Sequence, residues 1–406
     1  MHKNEYHNKN DSLWSKNYTM IIIINFLTCL ANFMLFSTLP LYVKYLGGNN
    51  FDAGLVTSLY SFSALLFRPV FGNLMDKKGR KIILIIGSII LVIVTLSYNV
   101  IYSVILLLIF RFINGIAFSA NTTAAGAVVA DLVPPSRLSQ GIGILGVTGN
   151  FATAIGPAIG LYIIGISGYS IFFISVVLIS IFSFASSMFL NYERDKRKNI
   201  NKSTEDSLPI ALSESKQGLM FEKTSLLPSL VMFFIMLGVC TVTTFVPPYA
   251  QSLGIENISV FYIIYAFSTM VIRVAMDKYE KHFGVKKVFS LGILMLFFSY
   301  LALTFKSFNM IMLAGILYGF GFGIVFPVVY SIVMELCPIE RRGLASATFY
   351  SAMDIAMVLG GAIWGIVSDL AGFKAIFLGG AAFTLIAFGV FISMMVKNNS
   401  LVGKQN

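Results

Sequence analysis

Apolar residues occur in long unbroken runs along this chain, and charged residues are gathered in the short segments between the runs. Twelve runs reach about 20 residues each, enough for a helix to cross the hydrocarbon core of a bilayer. They are apolar on all sides, without the alternating polarity of membrane-barrel strands. They begin near Tyr18, Phe51, Lys81, Ile101, Leu138, Tyr169, Leu226, Val260, Val288, Met310, Leu344 and Phe373. The pattern predicts an all-α integral membrane protein with twelve transmembrane helices.

The same pattern occurs twice, about half a chain apart. The order of the repeated residues is kept, and their offset drifts only from 207 to 204. The matched pairs include Tyr42 and Tyr249, Arg68 and Arg273, Gly79 and Gly284, Gly115 and Gly319, and Pro134 and Pro338. The repeat predicts two pseudo-symmetric six-helix bundles, residues 1–190 and 225–406, joined by a polar linker at 191–224. A duplicated membrane bundle is typical of transporters whose site lies between the repeats.

Charge is sparse and unevenly placed. Only 12% of the 406 residues are charged, 57% are hydrophobic, and the net charge is +11. With twelve spans, 23 of the 29 Lys and Arg residues fall on one side and three on the other. The remaining three, Arg68, Arg111 and Arg273, lie inside spans. The positive-inside rule therefore places both termini and the linker in the cytoplasm of a cell-membrane protein, and the basic excess does not indicate nucleic acid binding.

Motifs for cofactors and metals are missing from the sequence. The three cysteines, Cys29, Cys240 and Cys337, are too far apart for a disulfide framework or a zinc site. The chain lacks a nucleotide-binding loop and a His-Glu-x-x-His motif, so neither ATP hydrolysis nor metal-dependent catalysis is expected. The polar N-terminus does not have the layout of a cleaved signal, so the first span should be retained. We expect no cofactor and no enzymatic activity.

The loop after the second span reads GNLMDKKGRK over residues 72–81. Gly72 would let helices pack closely, and Gly79 would permit a tight turn. Asp76 is placed to interact with a helix N-terminus, and Arg80 to pair with an acid at the end of a neighbouring span, for which Asp131 is the candidate. A solvated basic turn that only sets topology is the other interpretation.

This loop resembles the cytoplasmic-loop signature of the major facilitator superfamily, and the resemblance covers essentially the whole chain. In that family the cluster links the two halves at the cytoplasmic face and stabilises the outward-open state. The resemblance therefore implies a cytoplasmic gate at Gly72, Asp76, Gly79, Arg80 and Asp131. The second copy of the loop has lost the acid, so the gate should be stronger in the first half.

Two charged residues inside spans are candidates for proton coupling. The run Arg111 to Gly115 resembles a second family motif, whose arginine takes part in proton coupling; snorkelling to the membrane interface is the alternative. Asp354 is the only carboxylate predicted near the middle of a span, and its repeat counterpart is Asn150. A carboxyl group at that depth either exchanges a proton or fixes helix packing.

Glycine and polar residues mark two further features. Gly156, Pro157 and Gly160 partly match the family's antiporter motif, which implies a helix bend found in exporters; close packing of small residues is the alternative. Polar residues on the spans would either line a substrate cavity or bond neighbouring helices. The predicted lining residues are Asn25, Thr28, Asn32, Asn114, Asn121 and Asn150.

These features together predict a monomeric secondary transporter similar to drug:proton antiporters. Its partners would be a small-molecule substrate, protons and the lipid bilayer, and it would export small organic compounds by alternating access. A metabolite or sugar importer or uniporter with the same fold is the first alternative. A transport-inactive membrane sensor is an alternative of another class.

Overall fold

The chain forms an all-helical molecule. A computed structural model describes residues 14–134, 137–190, 222–255, 258–338 and 341–402. These residues contain ten long helices and no strand, which confirms the predicted fold class at this level. The helices are α1 (Lys16–Tyr45), α2 (Asn50–Lys78), α3 (Arg80–Ser97), α4 (Val104–Leu132), α5 (Leu138–Met188), α6 (Leu226–Ser252), α7 (Ser259–Phe283), α8 (Val285–Leu303), α9 (Phe308–Leu336) and α10 (Arg342–Val402).

Length and composition make most of these helices suitable for crossing a membrane. In the described part of the chain, nine helices are long and apolar enough to do so. The apolar part of α7 is shorter, Ser259–Arg273, because charged residues follow it. Large apolar side chains also remain exposed at helical spacing on the outer surface, as with Ile82, Ile86, Ile89 and Ile93 on α3. Such a surface is suited to contact with lipid.

Two of the ten helices contain a break. In α5 the backbone leaves helical geometry at Gly168 (φ 75°, ψ −179°), and in α10 it does so at Gly372 (φ 77°, ψ 173°). Each break coincides with a boundary predicted from the sequence, since spans six and twelve were expected to begin at Tyr169 and Phe373. The backbone therefore changes direction where the apolar pattern predicts separate spans.

The duplication is visible in the backbone itself. Every described residue with positive φ is a glycine, and the six glycines form three repeat pairs. The pairs are Gly47 with Gly254, Gly79 with Gly284, and Gly168 with Gly372. Positive φ is costly for residues with a Cβ atom, so glycine at these turns gives both halves of the chain the same sequence of changes in direction.

The helices α1–α5, here called the N-terminal group, pack against α6–α10, the C-terminal group. Contact between the groups is made mainly by α2 with α10, by α5 with α7, and by α1 with α6. The predicted linker, 191–224, lies almost entirely outside the described residues. The division at 1–190, 191–224 and 225–406 therefore stays a prediction.

Candidate functional site

An ion pair joins the two helix groups in the interior of the molecule. Arg68 of α2 donates from Nε to Oδ2 of Asp354 on α10 over 3.0 Å. The side chains keep 27% and 19% of their surface exposed, so water reaches the pair. The sequence pattern indicated Arg111 and Asp354 as candidates for proton coupling, and the structure pairs Asp354 with Arg68 instead of Arg111. The coupling roles stay predictions. The sequence identified Arg68 only as one of three arginines inside spans. That position was the one sequence feature that could have indicated Arg68 as the partner of Asp354.

Aromatic side chains of α9 and α10 lie close to Asp354. Tyr350 lies one helical turn before Asp354, and its ring is 6.1 Å from the ring of Tyr330 on α9. The hydroxyl of Tyr330 is 2.8 Å from that of Ser346, and Phe349 packs against both tyrosines. Tyr330 and Tyr350 are only partly buried. The ion pair therefore lies beside an aromatic wall that is suited to flat organic molecules.

Arg111 is fully buried within the N-terminal group. Its Nη1 donates to Oδ1 of Asn114 over 2.6 Å, and its Nε donates to the carbonyl of Val56 on α2 over 3.3 Å. The guanidinium carbon lies 4.1 Å from the ring centroid of Tyr60. Arg111 therefore neither snorkels to an interface nor contacts Asp354. It joins α4 to α2 through the cation–π contact with Tyr60 and one hydrogen bond to Val56, while its bond to Asn114 lies within α4.

The predicted gate residues lie where α2, α3 and α4 meet. Gly79 forms the turn between α2 and α3 (φ 94°), and Nε of Arg80 lies 3.3 Å from Oδ2 of Asp131, so the predicted pair is present. A Cβ atom on Gly72 would meet nothing within 4 Å, so the predicted need for glycine in close packing there was wrong. The Asp76 side chain lies outside the described part of the structure. The gating role of this cluster stays a prediction.

The polar stripe of α1 faces α5 rather than an open cavity. Asn25 donates to the Thr148 hydroxyl over 3.3 Å, and Thr28 lies 2.9 Å from the Ser183 hydroxyl. Asn32 donates to the Thr28 carbonyl over 2.7 Å. All three stripe residues are buried. Asn25 and Thr28 bond α1 to α5, and Asn32 bonds within α1, so in this conformation the three residues do not line an open cavity. Their predicted role in lining a substrate cavity stays a prediction.

The other predicted lining residues divide into two kinds. Asn114 accepts from Arg111, and Asn121 accepts a hydrogen bond from Ser88 on α3 over 3.2 Å. Both are buried, so in this conformation they do not line an open cavity either. Asn150 on α5 stays partly exposed. It is the one member of the predicted set that lies at an accessible position.

The glycines predicted to bend α5 serve as packing contacts. A Cβ atom on Gly156 would lie 2.9 Å from Cβ of Phe33, and one on Gly160 would lie 3.1 Å from the Met34 carbonyl oxygen. Pro157 lies within the helix, yet the residue with non-helical geometry is Gly168. The packing interpretation of Gly156, Pro157 and Gly160 is therefore the one this geometry favours.

Hydrogen bonds and close backbone packing join the two groups at the end of the molecule that begins α2, here called the Asn50 end. The Asp369 carboxylate accepts hydrogen bonds from the backbone N–H of Asn50 over 3.1 Å and of Phe51 over 2.9 Å. A Cβ atom on Gly54 would overlap the carbonyl of Gly361. A helix N-terminus favours a carboxylate because its first N–H groups have no partner within the helix. No sequence prediction included Asp369; the close spacing of Gly361 and Gly365 in α10 was the available signal.

Further contacts continue this interface toward the ion pair. Ser58 donates to the Val358 carbonyl over 2.7 Å, and the hydroxyls of Thr57 and Thr244 are 2.9 Å apart. These contacts, with those of Asp369, close the Asn50 end. The Arg68–Asp354 pair lies beyond these contacts and stays partly exposed.

The other end is here called the basic end because it carries Lys78, Arg80, Arg137 and Arg342. Two ion pairs among the described residues at this end each lie within one helix group. Arg80 and Asp131 both belong to the N-terminal group, and Arg341 lies 3.5 Å from Glu222 beside the C-terminal group. The backbone N–H of Glu222 also donates to the Thr348 hydroxyl over 3.0 Å. These two pairs stabilise the ends of each group without joining the groups.

Comparison with known proteins assigns nearly the whole chain to one protein family. The family model "Major Facilitator Superfamily" matches residues 21–279 and 257–405. The staphylopine export protein of Staphylococcus aureus is 26% identical over 374 residues, which cover 89% of this chain and 91% of that protein. The multi-drug resistance efflux pump PmrA homolog of Lactococcus lactis is 23% identical, over 92% of this chain and 93% of that protein.

A solved structure has the same fold. The nucleoside transporter NupG superposes with a TM-score of 0.68 at 15% identity, over 94% of this chain and 99% of that one. An all-helical molecule with a charged contact between two repeated helix groups agrees with this assignment. The chain therefore belongs to the Major Facilitator Superfamily and is a secondary transporter rather than an enzyme.

Proposed function

We propose that this protein exports small organic compounds in exchange for protons, by alternating access. The observation that carries the proposal is the Arg68–Asp354 ion pair, which joins the two helix groups within reach of water. Carboxyl groups inside membrane proteins are rare and commonly serve as proton carriers. The names of the staphylopine export protein and the PmrA efflux pump homolog support outward transport.

The proposed topology has twelve spans in two bundles of six, with both termini in the cytoplasm. The breaks at Gly168 and Gly372 support dividing α5 and α10 into two spans each. The basic end would then face the cytoplasm, in keeping with its lysines and arginines. The conformation would be closed to the outside and open to the inside. We further propose a monomer in the cell membrane.

The ion pair suggests how proton exchange would work. In the inward-open conformation Asp354 is ionised and paired with Arg68, and substrate enters from the cytoplasm. When the outside opens, a proton from the outer solution binds Asp354 and removes its attraction for Arg68. The freed guanidinium would cost about 2.5–3.5 kcal/mol at the bilayer centre on insertion scales. That cost favours return to the conformation in which the proton leaves and the pair forms again.

Arg111 has a supporting role in this scheme. Its contacts with Val56 and Tyr60 fasten α4 to α2, so the helix that carries Arg68 moves together with the rest of the N-terminal group. The predicted role of Arg111 as a proton-coupling residue is replaced here by one in positioning. At the basic end, Arg80 and Asp131 would form the cytoplasmic gate when the outside opens.

The test of the proposal is the Asp354→Asn substitution in proteoliposomes with an imposed pH gradient. Without a titratable carboxyl group at residue 354, substrate movement should no longer depend on the gradient, and substrate-driven proton flux should vanish. Asp369→Asn is the matched control, since it also removes a carboxylate of α10 that contacts α2. It should change the rate of transport but keep its dependence on the gradient.

The same assay separates the alternatives. An Asp354→Asn protein that still accumulates substrate against its gradient in response to pH would refute the role of Asp354. Wild-type transport that ignores the gradient would favour a uniporter, and gradient-driven uptake would favour an importer. Specific binding without any transport would favour a sensor.

A further inference from the structure

The duplication gives each member of the Arg68–Asp354 pair a counterpart in the other half of the chain. Arg68 corresponds to Arg273 at an offset of 205, and Asp354 corresponds to Asn150 at an offset of 204. Arg273 lies on α7 and Asn150 on α5, and these helices pack together as α2 packs with α10. The two sets of positions are therefore related by the pseudo-symmetry of the fold, on opposite sides of the interface between the helix groups.

In the second set, Arg273 and Asn150, no acidic residue compensates the positive charge of Arg273. Asn150 carries no charge where its counterpart Asp354 does, so no carboxylate is available at the equivalent position to pair with Arg273. Arg273 makes no hydrogen bond or ion pair with any residue in the described part of the chain, and it is partly buried. Among the described groups, the Tyr265 phenol acts on it electrostatically. Asn150 is likewise partly exposed.

An arginine of this kind requires a partner. Inside a membrane protein, arginine is costly and is normally paired or placed at a water-filled cavity. Arg68 and Asp354 cancel each other's charge, and Arg111 is sealed under Tyr60. Arg273 therefore leaves an excess positive charge in the interface between the helix groups. A guanidinium presents two parallel N–H donors that match a carboxylate or a similar oxyanion, and an asparagine amide adds another donor.

We infer that Arg273 and Asn150 form the recognition site for an anionic group, a carboxylate or similar oxyanion, on the transported compound. The inference rests on the proposed export function and specifies the substrate class for that function. The substrate would bind beside Asn150, where the first repeat lacks the acid that the second repeat carries as Asp354. One pair of positions would serve proton exchange, and its counterpart would hold the anion.

The test uses two fluorescent probes with one xanthene framework, anionic fluorescein and cationic rhodamine 123. Binding to the purified full-length protein in detergent is measured by fluorescence anisotropy. The wild type should bind fluorescein more tightly than rhodamine 123. Arg273→Gln should weaken fluorescein binding by about tenfold to a hundredfold, the range expected for a lost charged hydrogen bond. The same substitution should leave the affinity for rhodamine 123 nearly unchanged or raise it.

Two companion variants make the result specific. Asn150→Asp adds the acid that the first repeat lacks, so it should also abolish the preference for fluorescein, even though Arg273 is still present. Lys287→Gln removes a positive charge from the same helix group at an exposed position and should change neither affinity. Near-wild-type melting temperatures for all three variants would show that folding is intact.

The inference is overturned if the wild type lacks a preference for fluorescein, or if Arg273→Gln and Asn150→Asp leave that preference unchanged. Gradient-driven transport of rhodamine 123 by the wild type would in that case leave the export proposal standing. The export proposal is tested separately, by whether the Asp354→Asn protein loses its dependence on the pH gradient in proteoliposomes. Failure of the anion site and failure of proton-coupled export therefore give different results.

Discussion

Single residues in this protein owe their roles to their partners more than to their type. Arg68, Arg111 and Arg273 all lie inside predicted spans, yet their surroundings differ. Arg68 is paired with Asp354, Arg111 is buried against Tyr60, and Arg273 has no partner among the described residues. The same side chain therefore serves as an ion-pair partner, as a link between helices and, in our proposal, as a ligand for an anion.

The surroundings of Arg111 predict a structural phenotype. Arg111→Lys keeps the charge but loses the planar fork that bonds Asn114 and Val56 together. It should lower the free energy of unfolding by about 1.5–3 kcal/mol, the range for hydrogen bonds to charged groups. The measurement is thermal melting of the purified protein in detergent, with the exposed Arg137→Lys as a control that should melt like the wild type.

The proton-flux assay then separates the two roles of Arg111. A positioning role predicts that the Arg111→Lys protein, once folded, transports with unchanged dependence on the pH gradient. If the Arg111→Lys protein melts like the wild type but its transport no longer depends on the pH gradient, Arg111 takes part in proton coupling.

Helices α2 and α10 form the contact on which access to the site depends. Their backbones approach closely because Gly54 faces Gly361, and Asp369 of α10 accepts from the first N–H groups of α2. The ion pair Arg68–Asp354 lies further along the same two helices. One helix pair therefore carries both the closed end and the proposed proton site, which gives a direct physical link between proton binding and opening.

The glycine contact predicts a variant that opens the Asn50 end. In Gly361→Ala the added Cβ atom would overlap the Gly54 carbonyl and the Ser58 hydroxyl. Overpacking of this kind costs about 1–3 kcal/mol and should shift the ratio of conformations at least about fivefold toward separation of α2 and α10. A cysteine placed at Thr57 should then react faster with a maleimide added from the Asn50 side.

Gly72→Ala is the matched control, because a Cβ atom there would meet nothing within 4 Å. It should leave the labelling rate of the cysteine at residue 57 unchanged. Equal rates in the Gly361→Ala and Gly72→Ala backgrounds would mean that the glycine contact does not control access.

The whole molecule consists of two related helix groups with different chemistry. The six positive-φ glycines repeat faithfully, so the chain changes direction in the same way in both halves. Some charges do not repeat, since Asp354 has Asn150 as its counterpart and Arg111 has Gly315, although Arg68 and Arg273 do. The backbone symmetry supports alternating access, because each group can move as a unit. The asymmetry in charge allows separate sites for proton and substrate.

The proposed orientation predicts which loops label from outside the cell. Lys306→Cys, between α8 and α9, should react with a membrane-impermeant maleimide in intact cells, whereas Lys287→Cys should react only after permeabilisation. The native thiols Cys29, Cys240 and Cys337 are buried and should stay silent. Burial also raises the pKa of Cys337, which keeps this thiol protonated and slow to react near neutral pH. The reverse labelling pattern would show that the protein is oriented the opposite way in the membrane.

Local pattern alone determined much of this protein. The helices, the breaks at Gly168 and Gly372, the duplication and the singular position of Asp354 follow from the apolar runs and the repeated residues, because segment length and turn chemistry are properties of neighbours in the chain. Only the tertiary structure decided the partner of Asp354, which is 286 residues away, and the cap that Asp369 provides to α2 from 318 residues away. It also turned the polar stripe of α1 toward α5. Such pairings depend on how helices from distant parts of the chain are placed against one another, and a one-dimensional pattern of polarity does not specify that placement.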